Sequence, residues 1–101
     1  MAFDIIIEPF AETDVKEITD WYELQKSGLG INFTREFIRN TTLLSATPFL
    51  FRKKHQDIRA MPMQTFPYGI YYFVNSGNVY IIAIIHHKRN PKIWKQRKNK
   101  S

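Results

Sequence analysis

The sequence predicts an α+β fold: a helical hairpin packed on one face of a mostly antiparallel four-stranded sheet, in the order β-α-α-β-β-β, with a short basic C-terminal tail. Three observations carry this expectation. Two β-prone runs, Ile70 to Val74 and Val79 to Ile85, flank Asn75-Ser76-Gly77-Asn78, residues that tolerate the positive φ of a tight hairpin turn. Two stretches with helical spacing of apolar residues, 11–26 and 31–46, are separated only by Ser27-Gly28-Leu29-Gly30. The last three predicted strands follow one another through short connections, as in an antiparallel meander.

Length and composition set the limits. With 101 residues, 44 % of them hydrophobic and 15 % aromatic, the chain is expected to form a single domain, 1–101, around a modest core. No apolar run approaches the ~20 residues that span a bilayer, so no membrane contact is expected. The first ten residues carry Asp4 and Glu8 and no basic leader, which does not read as a signal peptide. There is no cysteine, which excludes disulfide staples and thiolate metal sites and is compatible with a reducing compartment.

Taken in order, residues 3–8 open as a short strand, with Phe3, Ile5 and Ile7 on one face and Pro9 at its end. The helix over 11–26 starts near Glu12 or Thr13. It sets Val15, Ile18 and Trp21 or Tyr22 at helical spacing, and the two aromatics read as core anchors. Ser27-Gly28 stops it, because glycine readily takes the left-handed cap. The second helix presents Phe33, Phe37, Thr41 and Leu44 as a stripe with Ile38 beside it, and Thr47-Pro48 closes it. Arg52-Lys53-Lys54 reads as a solvated loop. A third strand follows over 57–63, with Pro62 marking an edge or a bulge. In the hairpin, the second run is apolar at almost every position, which predicts a central strand covered on both faces. The tail after Pro91 reads as one short helical turn, with frayed residues from Lys98.

Charge is segregated. Residues 1–51 hold eight acids and four bases; residues 52–101 hold eleven bases and one acid, Asp57. A basic half of this kind attracts a polyanion or an acidic protein partner. The central strand also runs into His86, His87, Lys88, Arg89, Asn90 and Pro91, placing two imidazoles and two cations on a rigid strand end. Adjacent strand residues point to opposite faces, so His86 and His87 do not share a surface, and with no third ligand in sight no metal site is expected. His86 has a plain structural alternative, a hydrogen bond to a backbone carbonyl. Trp94 has one too, as a latch pinning the tail to the sheet.

The order of elements, together with specific residues, resembles the RelE/ParE superfamily of bacterial type II toxins. The matching pieces are Glu17-Ile18 with Trp21-Tyr22, Gly28-Leu29-Gly30 before Phe33, Phe66-Pro67-Tyr68 leading into Ile70-Tyr71-Tyr72, and Ala83-Ile84-Ile85-His86 running to Arg89-Asn90-Pro91, Trp94 and Arg97. They span residues 3 to 97. The resemblance implies a cytoplasmic toxin neutralised by a cognate antitoxin with an acidic, partly disordered C-terminal segment. It implies contact with operator DNA only through that antitoxin, and no cofactor.

The superfamily holds two activities. RelE-like members cleave mRNA in the ribosome; ParE-like members poison DNA gyrase. Cleavage through a 2′-hydroxyl needs a base, a cation for the phosphorane and an acid for the leaving oxygen. His86 or His87 with Arg89 could supply these, and Lys88, Lys92 and Arg59 could strengthen the field. The arginine that RelE-like nucleases place just before or at the start of the strand that here begins Tyr68-Gly69-Ile70 is absent, however: Gln64 and Gly69 stand at the two corresponding places. Trp94 and Lys95 stand where a C-terminal aromatic acid or base belongs. The resemblance is therefore closer to the ParE branch, with Arg59, Lys88, Arg89, Lys92, Trp94, Lys95 and Arg97 at the target surface and Arg52, Lys53, Lys54 and Arg59 facing the antitoxin on grounds of charge. The RelE-like nuclease, and an inactive homologue that keeps only antitoxin binding and operon co-repression, remain as alternatives.

Overall fold

The computed structural model describes residues 2–88. They form β1 (Asp4–Ile7), α1 (Pro9–Gln25), α2 (Leu29–Ala46), β2 (Lys53–His55), β3 (Ile58–Pro62), β4 (Tyr68–Asn75) and β5 (Asn78–His86). The α+β architecture matches the expectation, but the sheet has five strands in the order β1-β5-β4-β3-β2. Four-strandedness is thus corrected. Lys53–His55, read above as solvated loop, doubles back on β3, pairing Lys53 with Arg59 and His55 with Ile58. The reversal is made by Gln56, at φ 49°, a left-handed conformation uncommon outside glycine and asparagine. Because β2 reaches only Ile58 and Arg59, Pro62 stays at an effective edge, where its missing N–H is harmless.

β1 is the one parallel element, pairing Asp4 with Asn78 through Ile7 with Ile81. Among the described residues, the first strand thus sits beside the last. Pro9 does not merely end β1: it is the first residue of α1, two residues before the predicted start. Its fixed φ and missing N–H suit that position. Glu8 makes the corner. Its N–H donates to Ile81 O at 2.9 Å, and its carbonyl accepts Glu12 N at 2.9 Å.

The helices form an antiparallel pair, with Thr19 Oγ1 3.3 Å from Thr34 Oγ1. The Glu23 carboxylate accepts the Gly28 and Gly30 N–H groups at 3.1 Å and so clamps the link. Gly28 takes φ +94°, and a Cβ on Gly30 would lie 2.8 Å from Thr19 O, so the helices cross here at backbone contact. Two expectations about helix faces are corrected. Trp21 is 55 % exposed, since Tyr22 takes the inward place and Trp21 lies edge-on against it. On α2 the buried set is Gly30, Phe33, Glu36, Phe37, Asn40 and Leu44, leaving Ile38 56 % exposed. The stripe is rotated to admit Glu36, whose Oε2 accepts Gln64 N and Thr65 N at 3.0 and 3.1 Å and fixes the β3–β4 loop. Asn40 Nδ2 is buried with no hydrogen-bond partner, and nothing in the structure explains it.

The hairpin forms as expected, with Asn75 paired to Asn78 around Ser76 and Gly77 at φ 51° and 80°. These are the two positive values of a type I′ turn. Within it lies a feature that the sequence hid. Tyr71 pairs with Ala83 and Tyr72 with Ile81, so Ile82 is an extra residue in β5. Before this bulge Val79 and Ile81 face the helices; after it Ile84 does, while Ile82, Ala83 and Ile85 gather with Ile58 on the far face. The bulge thus moves His86 to the helix side. β1 ends opposite Ile81, and beyond that point α1 takes its place: Asp14 Oδ2 accepts Ile84 N at 3.1 Å.

Two substitutions test this scaffold. Tyr72, fully buried, donates its hydroxyl to Pro48 O at 2.7 Å, so Tyr72→Phe is expected to cost about 1–3 kcal/mol in urea unfolding. Burial pushes this phenol up to about 12 from 10.0, with Arg59 pulling weakly the other way. Its stabilisation is complete below pH 10 and falls as pH rises to about 12, because the unfolded chain ionises first. Burial raises Tyr22 and Tyr71 as well, so Tyr72→Phe should shrink this alkaline loss without abolishing it. Asp14→Ala should speed amide exchange at Ile84 and cost about 1–3 kcal/mol, whereas Asp14→Asn, which keeps an acceptor, should cost less.

Candidate functional site

The candidate residues fall at two separate places. At one end of the sheet, His86 closes β5 opposite Tyr68. A chain of rings positions it. Tyr22 from α1 and Phe33 from α2 meet Phe66 edge-on at 4.9 and 5.2 Å, and Tyr22 and Phe33 reach Tyr68 at 6.4 and 5.9 Å. Tyr68 in turn meets the His86 imidazole edge-on at 5.2 Å. Phe66-Pro67-Tyr68 is therefore the device by which the helical layer orients the strand end. Desolvation, followed by the charge and hydrogen bond of Tyr68, raises the Tyr22 hydroxyl above the usual phenol range, so it stays protonated at neutral pH.

His86 does hydrogen-bond the backbone, but as an acceptor: Lys88 N donates to its Nδ1 at 3.1 Å. The neutral ring then carries its proton on Nε2. His87 is exposed, and its N–H donates to Pro67 O at 3.0 Å. Lys88 is exposed. Beside His86 lies a groove of about 240 Å³, lined by Asp14, Glu17, Ile18, Tyr68 and Ile84. His86 thus shares this groove with two acidic residues. The helical spacing of α1 does not single out Asp14 and Glu17 as neighbours of a strand end; the bulge at Ile82 is what turns His86 to the side where they line a groove. No run of apolar letters signals that bulge.

Arg59 is elsewhere. It pairs with Tyr72, four residues along β4 from Tyr68 and two strands from β5, roughly 13 Å from His86 along the strand direction alone. Its guanidinium serves the loop after α2: Nη1 donates to Phe51 O at 2.7 Å and to Phe49 O at 3.4 Å, and the group lies 5.2 Å from the Phe49 ring centroid. Arg52, Lys53 and Lys54 are exposed on this side, at and before β2. Arg89, Lys92, Trp94, Lys95 and Arg97 lie outside the described residues. Among the described residues no group of three or more His, Asp or Glu side chains is placed to hold a metal ion, and no helix is long and apolar enough to cross a membrane.

Comparison with known proteins agrees with this architecture. A solved chain described as "Chromosomal ParDE TA system from P. aeruginosa" superposes with a TM-score of 0.75 at 15 % identity, covering 84 % of this chain and 96 % of that one. At that identity the likeness is one of fold. No curated protein matches in sequence. The model of the family described as "ParE toxin of type II toxin-antitoxin system, parDE" matches residues 5–91, from β1 to beyond the end of β5. With its two helices on a five-stranded mixed sheet, this chain belongs to the ParE toxin family of type II toxin–antitoxin systems, the ParE branch of the RelE/ParE superfamily.

Proposed function

We propose that this chain inhibits DNA gyrase through a protein contact, in the cytoplasm, and is neutralised by a cognate antitoxin with an acidic, partly disordered C-terminal segment. The observation that carries the choice of gyrase over mRNA is the acidic setting of His86. A nuclease must draw a phosphodiester to its base, and Asp14 and Glu17 line the groove beside this imidazole. Their field repels that anion. Arg59, a candidate phosphate-stabilising cation, is held by the Phe51 carbonyl at the other end of the sheet. The histidine reads as structural, and the chemistry of cleavage has no assembled set of groups among the described residues.

On this reading the target surface is Lys88 with Arg89, Lys92, Trp94, Lys95 and Arg97, a basic run that suits an acidic protein patch. The antitoxin meets the cations Arg52, Lys53 and Lys54, and operator DNA is reached only through it. Inhibition by contact requires no cofactor.

Purified gyrase, titrated with this chain freed of antitoxin, should accumulate gyrase-dependent linear DNA. The triple variant Arg89→Ala, Lys92→Ala, Arg97→Ala should relieve growth inhibition while melting like the parent. Undisturbed supercoiling at excess toxin would overturn the proposal. Ribosome-dependent cleavage of A-site mRNA that is lost in Arg89→Ala would then assign the RelE-like activity instead.

A further inference from the structure

Two adjacent apolar side chains in the loop between α2 and β2 stand out into solvent: Phe49 is 58 % and Leu50 67 % exposed. A loop free to rearrange would turn such groups inward. This one is fixed from several sides. The buried Tyr72 hydroxyl holds Pro48 O at 2.7 Å, Arg59 holds Phe51 O at 2.7 Å, and Leu50 N reaches Thr47 O at 3.2 Å. Phe3 meets the Phe49 ring edge-on at 5.8 Å. The exposed cations Arg52, Lys53 and Lys54 follow at once, and β2 is the last strand in the sheet order. Asp57 is the only acid in the chain after Glu36.

We propose that the 48–54 loop and β2 form a docking surface for an acidic polypeptide segment that carries bulky apolar side chains. Phe49 and Leu50 are its anchors, Arg52, Lys53 and Lys54 its charge complement, and Arg59 its positioning residue. The occupant is the acidic segment of the antitoxin, so the inference rests on the toxin–antitoxin reading above and specifies where on the toxin that segment sits. Anchors held in place before binding lose little freedom on association, which is how a small contact becomes a strong one.

The geometry favours a polypeptide over a nucleic acid. The Arg59 guanidinium lies over one face of the Phe49 ring, 5.2 Å from its centroid, and a base stacking on that face would have to displace it. Leu50 has no π face to offer. A second copy of this chain is disfavoured as well, since two edges bearing Lys53 and Lys54 repel one another, whereas an acidic strand pairs with them favourably.

The test is calorimetric titration of the full chain with the acidic protein encoded beside its gene, together with hydrogen exchange. Phe49→Ser with Leu50→Ser should weaken binding about 30-fold or more while melting like the parent. Complex formation should protect amides across 49–55. Lys53→Glu with Lys54→Glu, which leaves the apolar pair intact, should also weaken binding and flatten its salt dependence. Arg59→Met should weaken binding about tenfold and speed exchange at 49–52 in the free chain, a change that loss of a simple contact would not cause. Unchanged affinity in the Phe49/Leu50 variant, with protection elsewhere, overturns the docking surface and leaves the toxin–antitoxin reading standing. No binding by the parent chain overturns both. Binding of poly(U) RNA that the same variant loses, with antitoxin affinity intact, assigns the surface to nucleic acid and overturns the proposal.

Discussion

The structure depends on one strand being buried on both faces while changing which residues face where. β5 runs from Asn78 to His86 with Val79 and Ile81 through Ile85 all buried. An unbroken strand would send Ala83 and Ile85 to the helices and Ile84 away. The extra residue at Ile82 reverses that assignment. Small Ala83 goes to the far face with Ile82 and Ile85; larger Ile84 fills the space under α1. Every neighbour of β5 takes its position from this arrangement. β1 pairs before the bulge, α1 reaches the backbone after it through Asp14, and His86 arrives beside Tyr68.

A second theme is the use of single polar groups to fix loops whose backbone amides and carbonyls lie outside the ladder. Glu23 holds the helix–helix link, Glu36 the β3–β4 loop, and Tyr72 with Arg59 the loop after α2. Each satisfies main-chain groups that would otherwise be costly to bury. The outcome is a small protein whose connections are tied to its helices and strands by side-chain hydrogen bonds. Firm loops can carry exposed apolar side chains without collapse, and that is where Phe49 and Leu50 are found.

Much of this was legible in the letters. Asn75-Ser76-Gly77-Asn78 allowed only a narrow choice of turn, so the pairing next to it, Asn75 with Asn78, followed. Gly28 and Pro48 bounded the second helix for reasons of backbone conformation. The first helix began earlier than the amphipathic pattern alone implied, because Pro9 ends a strand and opens a helix equally well. β2 was hidden because Lys53-Lys54-His55 carries no apolar alternation and its turn uses Gln56 rather than glycine. The bulge was hidden for the opposite reason: where every residue is apolar, a slip in register leaves no trace. The site suffered accordingly. That His86 closes the central strand was readable, but the acidic company of His86 and the loop-holding task of Arg59 needed three-dimensional placement.

The pairing of the first strand with the last has a consequence for synthesis. Asp4 has no strand partner until Asn78 exists, and Ile7 none until Ile81. Both faces of β5, and the groove beside His86, likewise await the end of the domain. As the chain leaves the ribosome, the helical hairpin can form from local contacts, but its apolar underside stays uncovered until β5 has emerged. Folding is therefore a late, collective event rather than a progressive one, and a chain cut short anywhere before β5 lacks the strand that joins β1 to the rest of the sheet.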